Sequence, residues 1–181
     1  DSLWTSVSPR FDGNLLKSVT KGAADLAQIP LLDAKDEPAP AANDAVTQFI
    51  AFVKLTLGDA VADVRASDRL TDSAVCLVAS EGGPDRALER LLASSGKVKA
   101  GTPILEINPR NEMILALAQL GSDDDAFKQD VAHLLFDEAR VLDGEQLSDA
   151  RAFAARLARM ISRGLSRTGD RQRTQAETPL P

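Results

Sequence analysis

Apolar residues recur every three or four positions along much of the chain, and this spacing predicts amphipathic helices. The clearest case is residues 44–57, where Asn43 or Asp44 can cap the start and Gly58 suits the C-terminal end. Its apolar face consists of Val46, Phe49, Ile50, Val53 and Leu57. Further helices are predicted, with Asn108-Pro109 and Ser148 as starting signals for two of them, at residues 84–95, 109–120, 123–142 and 148–165.

Three shorter segments have the composition of strands, namely residues 61–70, 74–79 and 103–107. The second is almost continuously apolar, so we expect both of its faces to be covered. In sequence order the elements read α-β-β-α-β-α-α-α. This order predicts an α+β fold, in which a small three-stranded mixed sheet packs with helices and the chain ends in a helical hairpin.

Composition divides the chain into four parts. Residues 30–43 hold three prolines and several charges, which is typical of a linker, so we place a domain boundary there. Residues 1–29 have no clean period beyond a turn at Asp12-Gly13, and we expect them to be the edge of a neighbouring domain. Residues 44–165 form the main domain. Residues 166–181 are polar and end in proline, which predicts a disordered tail.

The net charge of −6 and a pI near 4.8 argue against a broad basic surface for nucleic acid. The single cysteine cannot form an internal disulfide, which favours a reducing compartment. No apolar run is long enough to cross a membrane, and no secretory signal is recognisable. We therefore expect a cytoplasmic protein without nucleic-acid or membrane partners. Because the chain begins at Asp1, we expect it to be a fragment of a longer protein.

Candidate catalytic groups are few. His133 is the only histidine and has no nucleophile pattern near it, so a structural role is expected. Cys76 lies in the apolar strand and is expected to be a small buried hydrophobic residue. Gly82-Gly83 precedes a helix but lacks a phosphate-binding motif, and Asp123 to Asp125 fit the start of a helix better than a metal site. A small-ligand-binding or catalytic α/β domain stays as the alternative function.

Two features favour association instead. The helices at 123–142 and 148–165 both carry broad apolar stripes, and the pattern alone leaves open whether they fold back on the sheet or form a four-helix bundle with a second copy. The helix at 84–95 carries an apolar side formed by Ala87, Leu88, Leu91 and Leu92. Its pattern favours packing on the sheet over a ridge offered to a partner.

Several segments, in the same order along the chain, resemble the heat-shock protein 90 chaperone family in its bacterial form. They resemble the end of the middle domain and most of the C-terminal domain of that family. The segments are Phe11-Asp12-Gly13, Ser18 to Thr20, Ser67 to Leu70, Ala74 to Ser80, Leu105 to Pro109, Leu134 to Ala139 and Arg156 to Ile161.

The resemblance implies that the last two helices pair with those of a second protomer. It therefore decides the open alternative in favour of a homodimer joined through a four-helix bundle. The apolar stripes supply the candidate interface residues, which are Leu134, Leu135, Leu157, Met160 and Ile161.

The resemblance also implies a surface for unfolded or partly folded client proteins. In bacterial members an amphipathic helix at this place contacts clients through positions that match Leu88, Leu91 and Leu92, and a nearby tryptophan matches Trp4. A passive scaffold that only dimerises is the alternative to this client-contact role.

The family is an ATP-driven chaperone of the stress response whose nucleotide pocket lies in an N-terminal domain. The resemblance therefore implies ATP and magnesium in the parent protein, with no cofactor in this segment and no ATP hydrolysis by it. Eukaryotic cytosolic members end in the acidic peptide M-E-E-V-D, whereas residues 177–181 of this chain read ETPLP. This difference favours a bacterial, cytoplasmic member.

Overall fold

The computed structural model describes residues 7–8, 10–15, 43–80, 86 and 101–176. Within them, five strands and four α-helices follow one another along the chain, with short 3-10 turns at Gly58–Ala60 and Ser122–Asp124. The strands are β1 (Arg10–Phe11), β2 (Asn14–Leu15), β3 (Asp63–Ala66), β4 (Val75–Val78) and β5 (Ile104–Ile107). The helices are α1 (Asp44–Leu57), α2 (Glu112–Ala118), α3 (Asp125–Leu142) and α4 (Ala150–Ala176).

The main sheet has three strands in the order β3-β5-β4. The central strand β5 runs parallel to β3 and antiparallel to β4, so the sheet is mixed as the sequence predicted. All four residues of β5 are buried. The predicted α+β class is confirmed, although each strand is shorter than the apolar segment that indicated it.

The hydrophobic core lies between one face of this sheet and the helices α1, α2 and α3. Leu105 and Ile107 in the central strand are fully buried, as are Val53 of α1 and Ile114 of α2. The apolar stripe predicted for residues 44–57 is the face that α1 turns to this core, and its predicted cap is present. The Asn43 side chain accepts a hydrogen bond from the Ala45 amide at 3.1 Å.

The start of α2 differs from the prediction. Asn108 is fully buried and does not cap the helix. Its Nδ2 donates to the carbonyl oxygens of Thr71 and Ser73, both at 3.1 Å, and so fastens the β3–β4 connection to the end of β5. The cap is Asn111, whose Oδ1 accepts from the Met113 amide at 3.0 Å.

The limits of α4 also differ from the prediction. The residue before the helix is Asp149, whose carboxylate accepts from the Ala152 amide at 2.9 Å, so Asp149 takes the capping role predicted for Ser148. The helix continues to Ala176, beyond residue 165 where the sequence predicted its end, and the disordered tail predicted for residues 166–181 stays a prediction. Arginine, glutamine and alanine are good helix formers, and a polar composition alone does not end a helix.

Few of the first 42 residues are described. The turn predicted at Asp12-Gly13 is confirmed, because β1 and β2 pair across it and both residues have positive φ angles, 48° and 80°. The predicted linker lies outside the described residues except for Asn43, and the helix predicted at 84–95 does so except for Arg86. No helix within the described ranges has the length and apolar character needed to cross a membrane.

Candidate functional site

The predicted interface helices α3 and α4 form an antiparallel hairpin, and its turn is held by four charged side chains. Arg86 is only 6% exposed and donates to Asp143 Oδ2 from Nη2 at 3.0 Å and from Nε at 3.2 Å. Arg86 also pairs with Glu145, and Arg140 donates from Nε to the other oxygen of Glu145 at 2.8 Å. Arg140 Nη1 further donates to Ser148 Oγ at 2.8 Å. The turn between the helices is therefore fastened both to α3 and to residue 86.

Ion pairs hold α4 along the length of α3. Arg159 donates to both carboxylate oxygens of Asp130, at 2.7 and 2.6 Å. Nearer the start of α3, Arg163 pairs with Asp124, and its guanidinium lies 4.0 Å from the centre of the Phe127 ring. Opposite charges that face each other in this order fix the two helices in one antiparallel register.

The titratable groups of α3 respond to this packing. The hydrogen bond from Arg159 lowers the pKa of Asp130 despite partial burial. Burial raises the pKa of Asp137, although Arg156 Nη1 lies 4.0 Å from its carboxylate. Burial likewise lowers the pKa of His133, with the charge of Arg156 acting in the same direction.

This arrangement gives His133 three electrostatic neighbours, namely Asp130, Asp137 and Arg156. Asp130 is occupied by Arg159, and the low pKa of His133 keeps its imidazole neutral at pH 7. Within the part of the chain that the structure describes, no serine or threonine hydroxyl and no cysteine thiol is hydrogen-bonded to His133. The site therefore does not favour the alternative of a catalytic α/β domain.

Cys76 is not in the apolar surroundings predicted for it. It lies opposite Glu106 in the β4–β5 pair, and its sulfur is 3.8 Å from Glu106 Oε2. Burial and the neighbouring carboxylate raise the pKa of the thiol, so the reactive thiolate is disfavoured. Within the described part of the chain, no three His, Cys, Asp or Glu side chains are grouped so that they could hold a metal ion.

Apolar side chains remain exposed on the hairpin after α4 has packed. Leu157, Ile161 and Leu165 are 42%, 57% and 69% exposed and recur every fourth residue along one face of α4. At the end of α3, Val141 and Leu142 are exposed as well. The side of α4 that carries Met160 and Arg163 faces α3, so the stripe Leu157-Ile161-Leu165 is a second face of the same helix. We call it the α4 stripe.

The five predicted interface residues fall into two groups. Leu157 and Ile161 lie in the α4 stripe, and Leu134 is partly exposed on α3. Leu135 is 2% exposed in the core of the chain, and Met160 packs against that core. Periodicity predicted the two helices and their apolar residues but could not tell which apolar face meets the core. Leu165 was not among the predicted interface residues. It continues the four-residue spacing of Leu157 and Ile161, which is the signal that could have identified it.

The four predicted client-binding residues, Trp4, Leu88, Leu91 and Leu92, lie outside the described residues. The neighbouring Arg86 is helical and is the described part of that segment.

Comparison with known proteins gives one consistent family. The model of the Hsp90 protein family matches residues 1–179. Chaperone protein HtpG of Mesorhizobium japonicum is 61% identical over 168 residues, which cover 92% of this chain and 27% of that protein. The proteins of the same name from Azorhizobium caulinodans and Nitrobacter winogradskyi are 58% and 55% identical, over 91% and 93% of this chain and 26% of each relative. The chain thus spans about a quarter of the length of these relatives.

Proposed function

The chain belongs to the Hsp90 protein family, and from that membership we propose that its α3–α4 hairpin joins two copies of the chain within an ATP-dependent molecular chaperone. The relatives are named chaperones. In our proposal, the α3–α4 hairpin supplies the dimer contact of such a chaperone.

One observation carries the proposal, namely the α4 stripe. Leu157, Ile161 and Leu165 leave large apolar side chains in water on a helix whose other face is already packed on α3. Exposed aliphatic surface costs about 25 cal/mol for each Å² that a partner could cover. A second copy offers the same stripe, so a twofold arrangement would cover both at once. A stable interface buries roughly 1,200–2,000 Å² in total, which two paired hairpins can provide.

The proposal extends to clients, nucleotide and compartment. Unfolded clients would be held by the apolar side of residues 84–95 and by Trp4, through Leu88, Leu91 and Leu92. ATP and magnesium would act in another part of the parent protein, and this segment would bind neither. The cytoplasm is the expected compartment.

Sedimentation equilibrium at micromolar concentration tests the dimer. We expect the wild-type chain to be dimeric and Ile161→Glu to be monomeric, because an unpaired charge in a desolvated interface costs several kcal/mol. Ile161 is a better probe than Met160 because Met160 contacts the core of the chain. A charge at Met160 would destabilise the fold as well as the dimer, and the two effects could not be separated. The matched control is Ser166→Glu, which adds the same charge to an exposed position about 140° round the helix from Ile161. A monomeric wild type, or a dimeric Ile161→Glu chain, would contradict the proposal.

Client binding needs a separate experiment. Leu88→Asp with Leu91→Asp should weaken binding of an unfolded client while sedimentation still shows a dimer. If that dimeric double variant binds the client as well as wild type does, the passive scaffold is the better description.

A further inference from the structure

One face of α3 carries three titratable side chains that the proposed dimer does not use. Asp130, His133 and Asp137 are spaced by three and four residues, so they follow one another along the same side of the helix. Across from them, Arg156 of α4 places its Nε 3.7 Å from Asp130 Oδ1 and its Nη1 4.0 Å from Asp137 Oδ2. Because Arg156 pairs with the acid on either side of His133, its guanidinium faces the imidazole across the contact between the two helices. We call these four residues the His133 cluster.

The His133 cluster is balanced in charge only while the imidazole is neutral. Arg159 donates to both oxygens of Asp130, at 2.7 and 2.6 Å, so two arginines of α4 face two aspartates of α3. A proton on His133 would bring a third positive charge against Arg156. The side chains of Asp137 and Arg156 are only 11% and 22% exposed, so water screens this repulsion weakly.

The charges that act on His133 belong to these two helices. Burial and, after it, the charge of Arg156 oppose protonation, whereas Asp137 and Asp130 favour it. The opposition is stronger, so the pKa of His133 lies below its usual value. In the described part of the chain, the other elements packed against α3, namely α1, β4 and the 3-10 turn before it, bring no charge to bear on His133.

We propose that the α3–α4 hairpin is a pH-sensitive switch, in which protonation of His133 in mild acid loosens the packing of α4 on α3. The switch lies within one chain, so it does not depend on the proposed dimer. A base whose folded pKa is depressed contributes stability that is complete above its unfolded pKa, about 6.5, and is lost as the pH falls through the folded value. The switch therefore operates below about pH 6.5.

The two aspartates cannot imitate this effect. Burial raises the pKa of Asp137, and an acid with a raised folded pKa favours the fold more as the pH falls. The hydrogen bond from Arg159 lowers the pKa of Asp130, whose contribution to stability begins to be lost only near its unfolded pKa, about 3.9. A loss of α4 packing between about pH 7.5 and about pH 5.5 would therefore come from His133.

Proton NMR provides the first test, because His133 is the only histidine in the chain and its imidazole resonances titrate without overlap. The wild-type midpoint should lie below about pH 6.5. Arg156→Gln should raise the midpoint, because it removes the cation that faces the imidazole. The matched control is Arg151→Gln, which removes an exposed arginine from the first turn of the same helix and should leave the midpoint unchanged.

Hydrogen exchange measures the packing itself. Protection factors of residues 150–165, corrected for the intrinsic effect of pH on exchange, are compared with those of α1 at about pH 7.5 and about pH 5.5. In wild type the protection of α4 should fall about threefold, the effect of one like-charge contact at a partly exposed site, while α1 changes less. His133→Gln cannot take up a proton, and Gln is a good helix former, so its α4 should be equally protected at both pH values. The protein concentration is one at which sedimentation shows the same association state throughout.

Each comparison is a ratio within one variant, so a substitution that weakens the hairpin equally at every pH does not change the result. A wild-type midpoint at or above about pH 6.5 contradicts the inference, as does an unchanged midpoint in Arg156→Gln. If the protection of α4 falls as much in His133→Gln as in wild type, another group is responsible for the acid sensitivity. Equal losses of protection in α1 and α4 would show general destabilisation by acid and no switch in the hairpin.

Discussion

Arg69 donates two hydrogen bonds to one carboxylate oxygen of Glu106, from Nε at 3.1 Å and from Nη2 at 2.8 Å. The other oxygen of Glu106 accepts from Arg65, its direct neighbour across the parallel strands, at 3.2 and 2.8 Å. Ser67 donates to Glu106 as well, at 3.0 Å. A carboxylate that is 4% exposed thus joins β3, the residues after it and β5, on the sheet face opposite to the one that carries Leu105 and Ile107.

Glu106→Gln should destabilise the fold by about 3 kcal/mol, because it removes the charge that two partly buried arginines share. Urea denaturation at a fixed protein concentration measures the change in the free energy of unfolding. Asp63→Asn is the matched control, since its pair with Lys54 is 44% and 56% exposed and should contribute less than about 1 kcal/mol. Equal losses of unfolding free energy in the two variants would mean that the Glu106 cluster contributes no more to stability than an exposed ion pair does.

The same cluster predicts acid sensitivity. Burial raises the pKa of Glu106, but hydrogen bonds from Arg65 and Arg69 outweigh burial, so the pKa lies below its usual range. A group whose folded pKa is depressed contributes stability above its unfolded pKa, about 4.3, and loses it as the pH falls through the folded value. Wild type should therefore lose stability more steeply than Glu106→Gln below about pH 4.5. Parallel curves of unfolding free energy against pH would argue that the cluster is not the cause.

The side chain of Asn108 should contribute more to the stability of the fold than that of Asn111, although both residues precede the same helix. Asn108→Ala leaves the Thr71 and Ser73 carbonyl oxygens without their donor at a fully buried position, at a cost of about 2–3 kcal/mol. Asn111→Ala removes a helix cap, which costs about 1 kcal/mol. Thermal and urea unfolding of both variants provide the comparison. If Asn111→Ala were the less stable variant, the hydrogen bonds from Asn108 to Thr71 and Ser73 would not have the stabilising weight expected of them.

Arg86 should stabilise the turn between α3 and α4. Arg86→Met removes the donor for Asp143 and a partner of Glu145 at a site that is 6% exposed, and should cost about 2–4 kcal/mol. Hydrogen exchange of residues 143–149 should accelerate more than that of α1, because the turn loses its link to residue 86. Arg159→Gln breaks a pair in which the arginine is 57% exposed, so it should destabilise the fold only slightly. Uniform acceleration in both variants would show only general destabilisation.

Within the described residues from 43 onward, the sequence by itself determined the helices and strands and their order. Apolar spacing of three and four residues identified α1 within one residue at each end, and the short apolar segments identified all three strands of the main sheet. These features follow from local physics, since a helix or strand that meets a core must repeat its apolar residues at its own period. Family motifs then indicated the kind of protein, and the comparisons agree.

Only the tertiary structure decided how polar and apolar side chains are used. Glu106, Arg65 and Arg69 are brought together across 37 to 41 residues of sequence, and no periodicity marks such a meeting. Leu135 and Ile161 look alike as members of apolar stripes, yet one is 2% and the other 57% exposed. The reason is physical: a stripe shows that a face avoids water, but which stripe is covered within the chain depends on how the helices pack. That packing leaves Leu157, Ile161 and Leu165 on the surface, where a second copy can cover them.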